Sequence, residues 1–309
     1  MKVLAANARN IARAAKVLRE GGLAIIPTET VYGVAADATN PDAVATVYEV
    51  KGRPRSNPLI VHVSSQEQAK GLVCEWTESA GLLADRFWPG PLTLVLHRSP
   101  ALPAIVAGGL STIGIRMPSH PVALRLIEAV GRPLAAPSAN PFMALSATRA
   151  EHVDQELAAR VGLVLDGGQS VVGLESTVVD VSSEPARILR PGGISRGEIE
   201  AALRVPLGAV PPRGPRRSPG MFRRHYAPRA ALRIVERLGE MQCGLTFHEP
   251  QTARQIRMPM DAQAYGAALY DALHHLDRSH PKAIHVEAPP KDPDWEAVWD
   301  RLKKASARA

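Results

Sequence analysis

The chain has 309 residues and a formal net charge of +7; 45% of its residues are hydrophobic, 22% charged and 4% aromatic. That length suits one large and one small domain with an aliphatic core, and the composition excludes global disorder. The two cysteines, Cys74 and Cys243, lie far apart with no Cys-x-x-Cys pair, which argues against a thiolate metal centre or a disulfide framework, while the basic excess favours a polyanionic partner such as a nucleotide or RNA.

The first residues, MKVLAANARNIARAAKVL, carry charges throughout. They predict an amphipathic helix capped by Asn7, with Ile11, Ala14, Ala15 and Leu18 on one face, rather than a signal peptide. No stretch approaches the roughly 18 uncharged apolar residues of a membrane span, so a cytoplasmic protein without membrane contact is expected. Residues 23–26 predict a strand, and Pro27-Thr28-Glu29-Thr30-Val31-Tyr32-Gly33 places hydroxyls at its carboxyl end, where open α/β sheets bind ligands. Asn40-Pro41 opens a helix with Val44, Val47 and Tyr48 inward.

Lys51-Gly52-Arg53-Pro54-Arg55-Ser56-Asn57-Pro58 follows, with three cations, an amide and a hydroxyl in a proline-stiffened loop. Such a loop suits a phosphate chain, for which Lys supplies a point charge and Arg a fork. The next strand, 59–63, holds His62 on the face opposite Val61 and Val63. Residues 79–88 predict a helix, 92–96 and 112–117 strands, and 121–130 a helix. In Ser111-Thr112-Ile113-Gly114-Ile115-Arg116-Met117, residues Thr112, Gly114 and Arg116 share a face. An Arg set among apolar neighbours needs either a buried carboxylate or an anionic ligand.

Ala136-Pro137-Ser138-Ala139-Asn140-Pro141 fixes a hydroxyl and an amide between prolines, and Ser146 follows. Thr148 with Glu151 and Ser195 with Glu198 have capping-box spacing. Strands are expected at 163–165 and 177–181, the second opened by Glu175-Ser176, and Arg190 lies in the run ILRPGG. The irregular alternation through residue 203 predicts an α/β domain with a twisted sheet. Residues 204–230 contain six prolines, seven arginines and no acid. They read as a basic linker, either a plain interdomain tether or an arm that folds over a polyanionic ligand. Beyond it, strands at 232–235, 244–247 and 283–286 and helices at 262–276 and 295–304 predict a small α/β unit. The chain lacks Gly-x-x-x-x-Gly-Lys-Ser/Thr, Gly-x-Gly-x-x-Gly after the first strand and His-Glu-x-x-His, so any nucleotide site here is an unusual one.

In order, PTETVYG, KGRPRSNPLIVHV, STIGIRMPSH, PSAN, ESTVVD, RILRPGG and HYAP resemble the threonylcarbamoyl-AMP synthase (YrdC-like) family across nearly the whole chain. The resemblance implies a twisted open mixed sheet with a large concave basic cavity. It implies a YrdC-like catalytic domain over 1–205, a linker over 206–230 and a small α/β C-terminal domain over 231–309. The implied reaction joins L-threonine to bicarbonate and adenylates the product with ATP and Mg2+, releasing pyrophosphate. A tRNA threonylcarbamoyltransferase partner then uses the adenylate, and direct tRNA contact is possible. The resemblance assigns Arg53, Asn57, Thr112, Ser138, Ser146, Arg190 and Tyr226 to ATP, and Thr30, His62, Arg116, Ala136 and Ser176 to threonine, with Arg116 on its carboxylate. Lys51 is expected to hold a phosphate or the bicarbonate, so Lys51 and Arg53 are the expected catalytic cations. The stretch 289–295 departs from the glycine-rich turn expected there. Rival readings are a non-catalytic double-stranded RNA- or tRNA-binding module, a hydrogenase-maturation carbamoyltransferase, which this chain is too short and cysteine-poor to be, and a relative that adenylates another amine.

Overall fold

The computed structural model describes residues 2–210 and 222–307. Its strands and helices in chain order are β1 (Lys2–Ala5), α1 (Ala8–Arg19), β2 (Ala24–Ile26), β3 (Gly33–Asp37), α2 (Pro41–Lys51), β4 (Ile60–His62), α3 (Gln66–Lys70) and α4 (Glu78–Phe87). There follow β5 (Leu92–His97), β6 (Thr112–Arg116), α5 (Pro121–Val130), β7 (Leu134–Ala135), α6 (Gln155–Val161), β8 (Leu163–Asp166), β9 (Thr177–Asp180), β10 (Arg187–Arg190) and α7 (Arg196–Leu203). The carboxyl-terminal unit contributes β11 (Ala231–Val235), β12 (Gly244–Thr246), β13 (Gln255–Arg257), α8 (Ala262–Asp277), β14 (Ala283–Glu287) and α9 (Glu296–Ser306).

Two sheets result. The first is mixed and ten-stranded, in the order β1-β8-β2-β3-β7-β4-β6-β5-β9-β10. The second, β11-β14-β12-β13, is parallel at every pairing. Strands β1, β3, β7, β10 and β13 escaped the sequence reading; β3, Gly33-Val34-Ala35-Ala36-Asp37, is buried at every position and shows no alternation.

Strand alternation sorts the large sheet's two faces. Ile25, Val34, Val61, Val63, Leu94, Ile113 and Ile115 join Val44, Val47 and Tyr48 of α2 and Leu83 of α4 in one core. Ala24, Ile26, Leu134, Leu163 and Leu165 turn the other way, onto Ile11, Ala14, Ala15 and Leu18 of α1 and Leu126 and Ile127 of α5. In β4 and β6, however, the residues facing away from the first core are Ile60, His62, Thr112, Gly114 and Arg116. A third core, built on Tyr265, Leu269, Leu273, Val286 and Leu302, reaches across to Val31, Leu145 and Leu174 and joins the two units.

Local signals place the loops. Asn40 accepts from Asp42 N and Ala43 N to start α2, and left-handed Gly52 (φ 60°) ends it, turning the chain into the basic loop. Ser195 and Glu198 form the reciprocal capping box. Thr148 and Glu151 do not: Thr148 Oγ1 pairs with His152 Nδ1 at 3.2 Å, residues 150–152 form a single tight turn, and α6 begins later under Asp154.

Candidate active site

The polar face of β4 and β6 is walled by the loop after β2, the Ala136-Pro137-Ser138 loop and the start of β9. It forms a cavity lined by Thr28, Thr30, Arg53, His62, Arg116, Ala136, Ser138, Glu175, Ser176, Arg190, His225 and Tyr226. Nine of the thirteen residues expected at the site are therefore brought together. The described end of the basic linker enters the concavity: Ala227 N donates to Met143 O and His225 N to Lys304 O. Only about 40 Å³ of open space remains.

The guanidinium of Arg53 is buried and tied to the Asn57 and Pro58 carbonyls at 3.2 and 2.8 Å. The loop thus holds its cation by its own backbone. Asn57 is also buried, and both polar atoms of its side chain lack a partner. Arg190 grips Ser176 through the carbonyl at 2.8 Å and the hydroxyl at 3.0 Å. Lys51, Asn57, Thr112 and Ser146 stand behind the lining. Lys51 Nζ donates to the Ser138 and Asn140 carbonyls, so it ties the basic loop to the PSAN loop instead of facing the cavity. Burial, and then Arg53, hold the Lys51 ammonium well below its usual range.

Arg116 has a partner the sequence left open. Its Nη2 lies 2.6 Å from Glu29 Oε1, with both side chains buried. Nη1 donates to Thr30 Oγ1 at 2.8 Å and Nε to Gly90 O at 3.2 Å. Burial pushes the Glu29 carboxyl up, but Arg116 outweighs it and holds the group below the ordinary carboxylate value. Nε and Nη1 each spend one N–H group, and Nη2, although in ion-pair contact with Glu29, makes no hydrogen bond among the described residues, so Arg116 keeps N–H groups for a bidentate carboxylate. His62 lies nearby with Nδ1 unpartnered. Burial, and then Arg116, push it down to about 3, so the imidazole is neutral at physiological pH.

The small domain supplies side chains that sequence reasoning missed. Arg301 of α9 is buried, and its Nε donates to Glu175 Oε2 at 2.7 Å. Tyr270 of α8 donates to the same carboxylate at 3.1 Å, and Ser146 Oγ at 2.5 Å. Burial raises the Glu175 carboxyl, but Arg301 and then Arg190 bring it down to about 2. The Arg301 guanidinium lies 4.8 Å from the centre of the Tyr226 ring. A signal existed: Val298, Arg301, Leu302 and Ala305 make a buried stripe at helical spacing, and an Arg in such a stripe needs a buried acid. Tyr226 holds a left-handed backbone (φ 59°), and its hydroxyl has no hydrogen-bond partner among the described residues.

A family model described as telomere recombination, covering the Sua5, YciO and YrdC proteins, matches residues 16–192. A second, described as the C-terminal domain of threonylcarbamoyl-AMP synthase, matches residues 194–307. The threonylcarbamoyl-AMP synthase of Pyrococcus abyssi is 40% identical, over 95% of this chain and 93% of that protein. That of Bacillus subtilis is also 40% identical, over 98% and 94%. The solved structure of P. abyssi Sua5 complexed with L-threonine matches with a TM-score of 0.86 at 38% identity, over 96% of this chain and 94% of that one. Matched in both units and along nearly its full length, the chain belongs to the threonylcarbamoyl-AMP synthase family.

Proposed function

We propose that this protein converts L-threonine, bicarbonate and ATP into L-threonylcarbamoyladenylate and pyrophosphate, a nucleotidyl transfer that feeds threonylcarbamoyladenosine formation in tRNA by a transferase partner. One observation carries the reading: Arg53, Arg116 and Arg190 converge on a single buried cavity in which His62 Nδ1 and the Tyr226 hydroxyl have no hydrogen-bond partner among the described residues. Orphaned buried polar atoms are costly and call for a ligand. The P. abyssi relative complexed with L-threonine supports the amino acid half.

The threonine carboxylate meets N–H groups that Arg116 does not spend on the chain, beside Thr30, Ala136 and Ser176. The neutral amine attacks the bicarbonate carbon, forming C–N; hydroxide leaves and takes the amine proton as water. The resulting carbamate is already anionic, so its oxygen needs charge neutralisation and alignment more than a base to attack the α-phosphorus. Arg53 and Arg190 neutralise the phosphates, and pyrophosphate departs. Burial lowers Arg53 only to about 10, which leaves it charged at neutral pH. Lys51 acts by holding the two loops that carry Arg53 and Ser138.

Glu29 and Glu175 are committed to arginines, and the described residues hold no group of three metal-ligating side chains. Mg2+ would enter with the triphosphate and neutralise part of its charge. About 40 Å³ is far below the roughly 300–1,000 Å³ of ligand pockets, so the His225-Tyr226 segment moves outward to admit ATP and returns to exclude water. If Tyr226→Ala changed neither ATP affinity nor product yield, this movement would have no role. The RNA-binding reading is not favoured, because the three arginines are buried beyond reach of an RNA backbone.

The test is pyrophosphate release by the full chain with ATP and Mg2+. Release should require both L-threonine and bicarbonate, and should fall when L-serine replaces threonine. Release indifferent to the amino acid would contradict the reading.

A further inference from the structure

Behind Ser176 lies a hydroxyl that the proposed reaction does not use. Thr93, in β5, is fully buried, and its Oγ1 lies 2.7 Å from Ser176 Oγ. Ser176 Oγ also accepts from Arg190 Nη2 at 3.0 Å. Each hydroxyl has one proton and two lone pairs, and arginine only donates. Two proton arrangements are therefore open.

If Ser176 donated to Thr93, the Thr93 proton would be stranded, because Thr93 Oγ1 has no second hydrogen-bond partner among the described residues. If Thr93 donates to Ser176, both lone pairs of Ser176 Oγ are filled, by Thr93 and by Arg190. The Ser176 proton is then left to turn toward the cavity that Ser176 lines. The second arrangement strands nothing in the core.

The neighbouring strand fixes Thr93 in place. A Cβ on Gly114 would stand 3.0 Å from Thr93 Cγ2, so the glycine of STIGIR leaves room for the threonine methyl. A β-branched side chain is stiff at χ1, which keeps Oγ1 aimed at Ser176.

We propose that Thr93 is a positioning residue that makes the Ser176 hydroxyl an obligate donor, so that the substrate atom at Ser176 is a carboxylate or carbamate oxygen and never an ammonium nitrogen. This rests on the synthase reading for the identity of the substrate. With Arg116 also a pure donor, this wall recognises the anionic groups of the amino acid. It does not stabilise the protonated amine, which cannot attack bicarbonate.

Two measurements test the proposal. Neutron diffraction from deuterium-exchanged crystals of the full chain should place the Thr93 deuteron on the line to Ser176 Oγ and the Ser176 deuteron toward the cavity. A Ser176 deuteron on the line to Thr93 would overturn it, whatever the enzyme makes. Calorimetric titration with L-threonine should show Thr93→Val, which keeps the shape, binding about fivefold more weakly, in the range expected for a weakened hydrogen bond. Thr93→Ser should stay within about twofold of the unaltered protein, and ATP affinity should not change in either variant. Threonine binding as tight or tighter in Thr93→Val would overturn the proposal. If the unaltered protein bound no threonine while the deuterons lay as described, the synthase reading would fall and the proton arrangement would stand.

Discussion

Two buried arginine–glutamate pairs lie close to the cavity, and they face different surroundings. Glu175 receives Arg301, Tyr270 and Ser146, and the Arg301 Nη1 also donates to Pro191 O at 3.0 Å. That pair belongs to the joint between the domains. Among the described residues Arg116 meets Glu29, Thr30 and Gly90 and faces His62 and the cavity, whereas Arg301, whose Nη2 also has no hydrogen-bond partner there, lies outside the cavity lining with its guanidinium over the Tyr226 ring. Polar groups that face only the chain hold the fold, whereas those left incomplete on the cavity wall are set aside for a ligand.

The sharpest way to break this contrast is Arg301→Met. Leaving Glu175 buried and unpaired should cost about 3–5 kcal/mol in urea unfolding. Glu175→Gln added to Arg301→Met should recover part of that loss, since the stranded charge is gone. Equal stability of the single and double variants would show that the pair does not join the domains.

Arg116→Lys should act on binding instead. It loses the planar fork, so L-threonine affinity should fall about 100-fold while ATP affinity holds, as read by calorimetry. An unchanged threonine affinity would place the substrate carboxylate elsewhere.

Acid should loosen the whole molecule. Burial is the largest cause that holds His62, His152 and His225 neutral, each down to about 3. The unfolded chain binds their protons near pH 6.5, so below that value it takes up more protons than the native state. Stability is then lost as pH falls from about 6.5 toward 3, by about 1.4 kcal/mol per pH unit for each histidine. Urea melts at pH 7.5 and 5.5 should show the loss, and His152→Asn should flatten the slope by one proton. A slope of zero would mean that the imidazoles are charged in the fold. The Tyr226 hydroxyl should give the smallest stability effect: Tyr226→Phe should unfold within about 0.5 kcal/mol of the unaltered protein, since the hydroxyl has no partner there, while ATP binds several-fold more weakly. A large loss of stability would mean that the hydroxyl serves the fold.

What the sequence made legible follows the same division. The face of α1, the Asn40-Pro41 opening and the Ser195–Glu198 box were readable because they depend on neighbours three or four residues away. The shared face of Thr112, Gly114 and Arg116 was readable from period-two alternation. The choice of partner for Arg116 was not, since Glu29 lies on another loop and reaches it only through the sheet order. Lys51 was expected to face anions because it is a cation in a basic loop; the fold turns it onto two carbonyls of a segment nearly ninety residues away. Arg301, Tyr270 and Thr93 act across elements that the sequence reading left unordered. Part of the basic linker, residues 211–221, lies outside the described residues.

The measurement that bears most directly on the account is mass spectrometry of the nucleotide product formed from ATP, L-threonine and ¹³C-bicarbonate. The account predicts a threonylcarbamoyladenylate that carries one ¹³C, formed together with pyrophosphate. An adenylate of threonine without the label, or ADP and phosphate in place of AMP-linked product, would contradict it.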